Sequence, residues 1–141
     1  MRIAIINGPN LNLLGIRNPE LYGAQTMEEY LEQLSSQYPD IDFEYCQSNH
    51  EGDLIDWLQQ QGFIADGIIL NAGGYSHTSV AIRDAIEAIT TPVVEVHITD
   101  ISKREAFRQS SLLTDVCAAS IIGMGMKGYE EAVQYLLELG E

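Results

Sequence analysis

Positive charge is scarce in this chain. Seven of its 141 residues are lysine or arginine, against 21 aspartates and glutamates, and the formal net charge is −14. That balance argues against nucleic acid and anionic membranes as partners, because phosphate-rich surfaces are held by clustered Lys and Arg. Cysteine is scarce too. Cys46 and Cys117 lie far apart, show no metal-ligand spacing, and each sits in an apolar strand-like run. They are expected to be buried reduced thiols, not a bridge or a metal site. No apolar run approaches the length of a membrane span. No charged segment leading into a long apolar stretch opens the chain, which enters a strand pattern directly at Arg2-Ile-Ala-Ile-Ile6. A soluble, cytoplasmic protein is the expectation. Internal repeats, low-complexity tracts and interdomain linkers are also missing.

What is present reads as one globular domain spanning residues 1–141. Hydrophobic residues make up 45% of the chain, too many for a disordered acidic segment. A chain of this size can bury a core without disulfides or metal. Five apolar, β-branched runs recur: Ile3–Ile6, Ile41–Cys46, Gly67–Leu70, Val93–Val96 and Cys117–Ile122. Helix-like stretches lie between them. Thr26-Met-Glu-Glu29 is a capping box opening a helix that ends near Tyr38-Pro39. Asp53–Gln61 reads as a short helix stopped by Gly62, and Thr78–Ile89 carries apolar residues at helical spacing. Ser102-Lys-Arg-Glu105 looks like a second capping box, and Gly128–Leu139 a final amphipathic helix. Strict alternation of strands and helices implies a parallel sheet covered on both faces. With five strands and right-handed crossovers, the expected fold is α/β, a flavodoxin-like three-layer sandwich of strand order 2-1-3-4-5.

That fold places ligands outside the carboxyl ends of the strands, near the point where strand order reverses. Three segments lie there: Asn7–Gly23, Asn71–Ser79 and Glu95–Arg108. The first is about three times the usual length of such a connection. It has no Walker lysine and no G-x-G-x-x-G, so a phosphate cradle is a weak reading. With leucines, Arg17 and Tyr22 interleaved, it reads either as a closing lid or as a structured surface loop. In the second segment, Gly73 and Gly74 allow close backbone approach, and His77 stands with several hydroxyls near the start of a helix. That helix start can favour an anion; equally, Ser76, Thr78 or Ser79 can be a simple N-cap with His77 solvated. In the third, alternation along the strand puts Glu95 and His97 on one face. A buried glutamate is costly without a partner, so Glu95 either supports His97 in chemistry or forms a satisfied structural pair with it. Lys103, Arg104 and Arg108 concentrate three of the seven basic residues within six positions. They either hold a small anion or mark an exposed helix turn, on which Arg104 and Arg108 would share a face.

The segments Asn7-Gly-Pro-Asn-Leu-Asn-Leu-Leu-Gly15, Arg17 with Tyr22-Gly23, Asn71-Ala-Gly-Gly-Tyr-Ser-His-Thr-Ser79, and Glu95-Val-His-Ile98 followed by Arg104 and Phe107-Arg108 together resemble type II 3-dehydroquinate dehydratase. The likeness runs in the family's order from the first strand to Gly128-Tyr129, nearly the whole chain. It implies a hydro-lyase of the shikimate or quinate pathway, converting 3-dehydroquinate to 3-dehydroshikimate by anti elimination through an enolate, with no metal and no cofactor. It also implies roles. Tyr22 matches the base, activated by Arg17. His97 matches the general acid, and Glu95 orients it or keeps it protonated. Asn10 matches a group at the developing enolate. Asn71, His77, Asp84 and Arg108 match substrate-binding residues, Ile98 and Thr99 a carboxylate-binding turn, and Arg104 another lid-side arginine. Asp84, seven residues after His77 on one helix face, is expected to serve a neighbouring subunit's site, in a homo-oligomer that is a dodecamer built from trimers. His50, in Ser48-Asn-His-Glu-Gly52, is expected to be structural or interface support.

Asn18, Thr99, Asp100, Ser102, Gln109 and Ser110 depart from the family's common residues, and none removes a proposed catalytic group. Other readings meet obstacles. A receiver module would show an acidic cluster after the first strand and an aspartate after the third, where this chain has Asn7-Gly8 and Asn71-Ala72. A Schiff-base dehydratase needs a site lysine, and neither Lys103 nor Lys127 matches one. A different lyase or isomerase on the same scaffold remains open.

Overall fold

The computed structural model describes residues Met1–Glu141. Five parallel strands, β1 (Arg2–Asn7), β2 (Asp42–Gln47), β3 (Gly67–Asn71), β4 (Val93–His97) and β5 (Ala119–Ile122), form one sheet of order β2-β1-β3-β4-β5. The expected flavodoxin-like order is the one observed. Alternation along β1 divides the core. Ile3 and Ile5 face one layer, with Leu34 of α2 (Met27–Gln37) and Tyr129, Val133 and Leu136 of α5 (Lys127–Leu139). Ala4 and Ile6 face the other, with Leu54 and Leu58 of α3 (Glu51–Gln61) and Ile82 and Ile86 of α4 (Val80–Ala88). A one-turn helix, α1 (Pro19–Tyr22), interrupts the long first connection.

Local signals explain the element ends. The Thr26 capping box forms as read: Thr26 Oγ1 accepts the Glu29 N–H at 3.1 Å, and Glu29 Oε1 accepts the Thr26 N–H at 3.2 Å. Helix α3 begins two residues before the expected Asp53, at Glu51. Four strands run one residue farther than their apolar runs, ending on Asn7, Gln47, Asn71 and His97. The ladder carries these polar residues into the sheet because Asn7 still pairs with Asn71 and with Gln47. The last strand starts at Ala119, two residues after Cys117. Both cysteines are free thiols, half-buried rather than fully buried. Burial first, then the charges of Glu95 and Asp115, push the Cys117 thiol up to about 12, which makes it a poor nucleophile.

One expected helix is absent. The stretch after β4 folds as three short 3₁₀ turns, Ile101–Lys103, Ala106–Arg108 and Thr114–Val116. The Ser102 capping box does not form, because Asp100 Oδ1 takes both the Ser102 N–H at 3.1 Å and its hydroxyl at 2.6 Å. The carboxylate of Glu105 turns to Arg108 instead. Nor is there an apolar stripe to bury: Ile101 is covered, while Phe107 lies exposed. Arg104 and Arg108 therefore do not share a helix face, although both reach the same cavity. The His77–Asp84 relation is corrected as well. His77 ends a separate 3₁₀ turn, Gly73–His77, and α4 starts only after the Ser79 N-cap, whose Oγ accepts the Ile82 N–H.

No helix is long and apolar enough to cross a membrane.

Candidate active site

The ends of β1, β3 and β4 surround a cavity of about 290 Å³. Its wall includes Asn10, Arg17, Tyr22, Asn71, His77, His97, Ile98, Thr99, Arg104 and Arg108. Ten of the residues singled out in the sequence therefore meet in one place. Glu95 lies directly behind His97. Asp84 stands exposed on α4, outside its own chain's cavity. His50 is exposed at the N-cap of α3, also away from the cavity. Three of the seven basic residues line the cavity and no carboxylate does, so an acidic protein has built one cationic pocket. Such a pocket fits a small anion.

The floor begins with a close backbone approach. Gly8 N–H donates to the Asn71 carbonyl at 2.7 Å, and a Cβ on Gly8 would lie 2.6 Å from the Ala72 oxygen. Only glycine lets the first and third loops touch here. Asn10 follows with a left-handed backbone, φ 70°, a region that asparagine tolerates better than most side chains. Its N–H is held by Asn49 Oδ1 at 3.0 Å, while Gln47 Nε2 donates to the Gly8 carbonyl at 3.1 Å. Tyr75 Oη donates to the Asn49 carbonyl at 3.0 Å. The segment after β2 thus braces the first loop.

On the lid side, the Arg17 guanidinium carbon lies 4.6 Å from the centre of the Tyr22 ring. It sits over the ring face, a cation–π contact. The group that reaches the phenol oxygen is Arg104, whose Nη1 donates to Tyr22 Oη at 3.3 Å and to Thr99 Oγ1 at 3.2 Å. Two guanidiniums therefore bear on Tyr22, one over its ring and one at its oxygen.

The far wall holds a buried carboxylate–imidazole pair. His97 Nε2 meets Glu95 Oε2 at 2.7 Å. Glu95 is 1% exposed. Ser111 Oγ also donates to Oε2, and Thr114 Oγ1 and Ser120 Oγ donate to Oε1 at 2.7 and 2.8 Å. Burial alone would raise the Glu95 pKa. The bond and positive charge offered by His97, together with the Ser111 and Thr114 hydroxyls, outweigh burial and bring it down to about 2. Nε2 of His97 is thus engaged by an ionised partner, and Nδ1 has no protein partner. The His77 ring stacks nearby, its centre 6.3 Å from that of His97. His77 Nδ1 donates to the Ser110 carbonyl at 2.8 Å, so its Nε2 is the remaining nitrogen.

The irregular stretch after β4 therefore has a purpose. It lies over the face on which Glu95 points, and it delivers Ser111 and Thr114 to the carboxylate. Those residues, with Ser120, Asn49, Gln47 and Tyr129, escape the motif reading. The one signal for the hydroxyls is the cost of a buried glutamate, which demands more donors than a single histidine supplies.

The pairing sets an acid-stability expectation. A carboxylate held at about 2 in the fold, against its ordinary 4.5, contributes about 3 kcal/mol. That contribution is full above the ordinary value and disappears as the pH falls through about 2. Chemical denaturation of Glu95→Gln between pH 6 and pH 2.5 should show a weaker acid dependence than the parent chain. An equal loss in both would show that another group governs acid unfolding.

No cluster of three or more His, Cys, Asp or Glu side chains is arranged to hold a metal ion.

Comparison with known proteins is consistent across the chain. The family model described as dehydroquinase class II matches residues 1–137. The 3-dehydroquinate dehydratase of Exiguobacterium is 51% identical over 139 residues, covering 98% of this chain and 95% of that protein. The 3-dehydroquinate dehydratase of Campylobacter jejuni is 47% identical over 143 aligned residues, covering 100% of this chain and 90% of that protein. Among solved structures, the type II dehydroquinase of Butyrivibrio crossotus superposes with a TM-score of 0.93 at 42% identity, covering 97% of each chain.

Proposed function

The chain belongs to the class II dehydroquinase family, and from that membership we propose that it dehydrates 3-dehydroquinate to 3-dehydroshikimate, with Tyr22 as base and His97 as acid. The observation that carries the reading is the meeting in one cavity of a phenol flanked by two cations and an imidazole held by a buried carboxylate: Tyr22 under Arg17 and Arg104, and His97 on Glu95.

The reaction needs four things. A base removes a proton from the carbon next to the ketone. A donor stabilises the enolate oxygen. An acid protonates the departing hydroxyl. A clamp holds the carboxylate and ring hydroxyls. Tyrosine is a poor base in water, with an ordinary pKa of about 10. The two arginines place positive charge over the Tyr22 ring and at its oxygen, and lid closure strengthens their action by excluding water. Asn10 supplies a neutral donor, suited to charge that develops only during reaction. His97 donates from Nδ1 while Glu95 holds Nε2 and fixes the ring. Asn71, His77, Arg108 and the Ile98–Thr99 turn bind the substrate. No lysine lines the cavity, so imine formation has no amine to start from. The same reading makes the chain a homo-oligomer, a dodecamer of trimers, in which Asp84 completes a neighbouring copy's site.

The simplest test mixes purified protein with 3-dehydroquinate and follows the conjugated enone by ultraviolet absorbance. Turnover that survives borohydride supports the reading; absence of turnover by folded oligomer refutes it. Two further outcomes are expected. Arg17→Met and Arg104→Met should each lower kcat, Arg104→Met more, because it removes the guanidinium at the oxygen. An unchanged kcat would separate that arginine from the action of Tyr22. Mixing Tyr22→Phe chains with Asp84→Ala chains should restore part of the activity that neither has alone. No restoration would place Asp84 outside the neighbour's site.

A further inference from the structure

Behind the cavity wall lies a hydrogen-bonded chain that the proposed chemistry does not use. Asn7 and Asn71 face each other in register at the ends of β1 and β3. Both are buried, at 0% and 3% exposure. The hydroxyl of Tyr129, from the first turn of α5, sits between them with its whole side chain buried. Tyr129 Oη donates to Asn7 Oδ1 at 2.8 Å and accepts from Asn71 Nδ2 at 3.1 Å. Asn7 Nδ2 donates in turn to Tyr45 Oη at 3.4 Å.

One group sets the direction of every bond. The Gly73 backbone N–H can only donate, and it meets Asn71 Oδ1 at 3.2 Å. The other end of that amide, the nitrogen, must then face Tyr129. The tyrosine oxygen accepts from it, so its single proton goes to Asn7. Burial pushes the Tyr129 phenol above its ordinary pKa, so that proton stays in place. The acceptor of Asn71 is thereby turned into the protein. Its second amide N–H has no protein partner, and Asn71 lines the cavity.

We propose that the Tyr129 hydroxyl, directed by Asn7, is a positioning group that holds the Asn71 side chain in the polarity the Gly73 N–H selects, so that the site presents a donor there and selects a substrate oxygen that accepts. This deepens the reading of the cavity as a dehydration site and rests on it. Tyr129 does not reach the substrate; it acts through Asn71. Without the Asn7 acceptor, the tyrosine proton would compete for Asn71 Oδ1 and favour the flipped amide. A half-satisfied buried network of this kind loses its unique arrangement before it loses its shape.

The test compares Tyr129→Phe, Asn7→Leu and Tyr45→Phe with the parent enzyme, by 3-dehydroquinate kinetics and by the ¹⁵N-resolved side-chain amide signals of Asn71. Tyr129→Phe should raise KM roughly three- to tenfold, the worth of one net hydrogen bond, with kcat within about twofold. Asn7→Leu should move KM the same way, and both should shift the Asn71 amide signals. Tyr45→Phe, at the outer end of the chain, should leave KM within about twofold, because the Tyr129 bonds to Asn7 and Asn71 both remain. A folded Tyr129→Phe enzyme with parental KM and an unmoved Asn71 amide would overturn the proposal, even if its melting temperature fell. If the phenylalanine variant does not fold, Asn7→Leu, which keeps Tyr129 in place, decides by the same criteria. If the parent chain does not turn over 3-dehydroquinate, the reading of the site fails, while the amide signals still decide the polarity of Asn71.

Discussion

Replacing Tyr22 with phenylalanine should lower kcat by about two to four orders of magnitude, the usual contribution of a positioned base, and leave KM within about threefold. The size of the effect follows from what the change removes. Phenylalanine keeps the ring on which Arg17 rests, 4.6 Å from its centre. Arg104 keeps its bond to Thr99 Oγ1 at 3.2 Å. Only the oxygen disappears, and with it the group proposed to take the proton. Steady-state kinetics on the folded variant check this. Turnover near the parental level would remove Tyr22 from the reaction and leave the two arginines as substrate clamps alone.

The second large effect is expected at His97. His97→Ala should also reduce kcat by about two to four orders of magnitude, the usual contribution of a positioned acid. The fold should survive, because Glu95 retains the Ser111, Thr114 and Ser120 hydroxyls when the imidazole is gone. Glu95→Gln should act in the same direction by a smaller factor, since the imidazole remains but loses its ionised partner. If turnover in His97→Ala stayed near the parental level, the acid would lie elsewhere. His77, stacked 6.3 Å away, would then be the first residue to replace.

Much of the fold was legible because its signals are local. The apolar period of the strands, the Thr26 capping box and the glycine-rich third loop each depend on residues within a few positions. The segments forming the cavity could be located for a similar reason: a parallel sheet puts its ligand site at strand ends, wherever the apolar runs stop. The stretch after β4 was misread because Ser102 and Glu105 have the right spacing for a cap. Asp100, two residues earlier, takes the Ser102 hydroxyl first. That competition depends on geometry that spacing does not record.

The less legible part of the site is its support. Arg104 reaches Tyr22 from 82 positions away, and Tyr129 reaches Asn7 from 122. The hydroxyls on Glu95 come from 16, 19 and 25 positions along the chain. No period or motif links such residues. They are selected by the need to satisfy buried polar atoms, which appears only when the sheet is assembled. Arg17 illustrates the difference well. The family resemblance implies it as the activator, and it does lie against the Tyr22 ring. The guanidinium at the oxygen comes instead from the misread stretch.

The central claim is that Tyr22 and His97 act as separate base and acid in an anti elimination. The measurement that tests it most directly uses 3-dehydroquinate carrying deuterium stereospecifically at one of the two hydrogens next to the ketone. The parent enzyme should form the conjugated enone and remove the hydrogen anti to the departing hydroxyl, leaving the syn label in the product. Loss of the syn label, or no enone at all from the folded protein, would contradict the account.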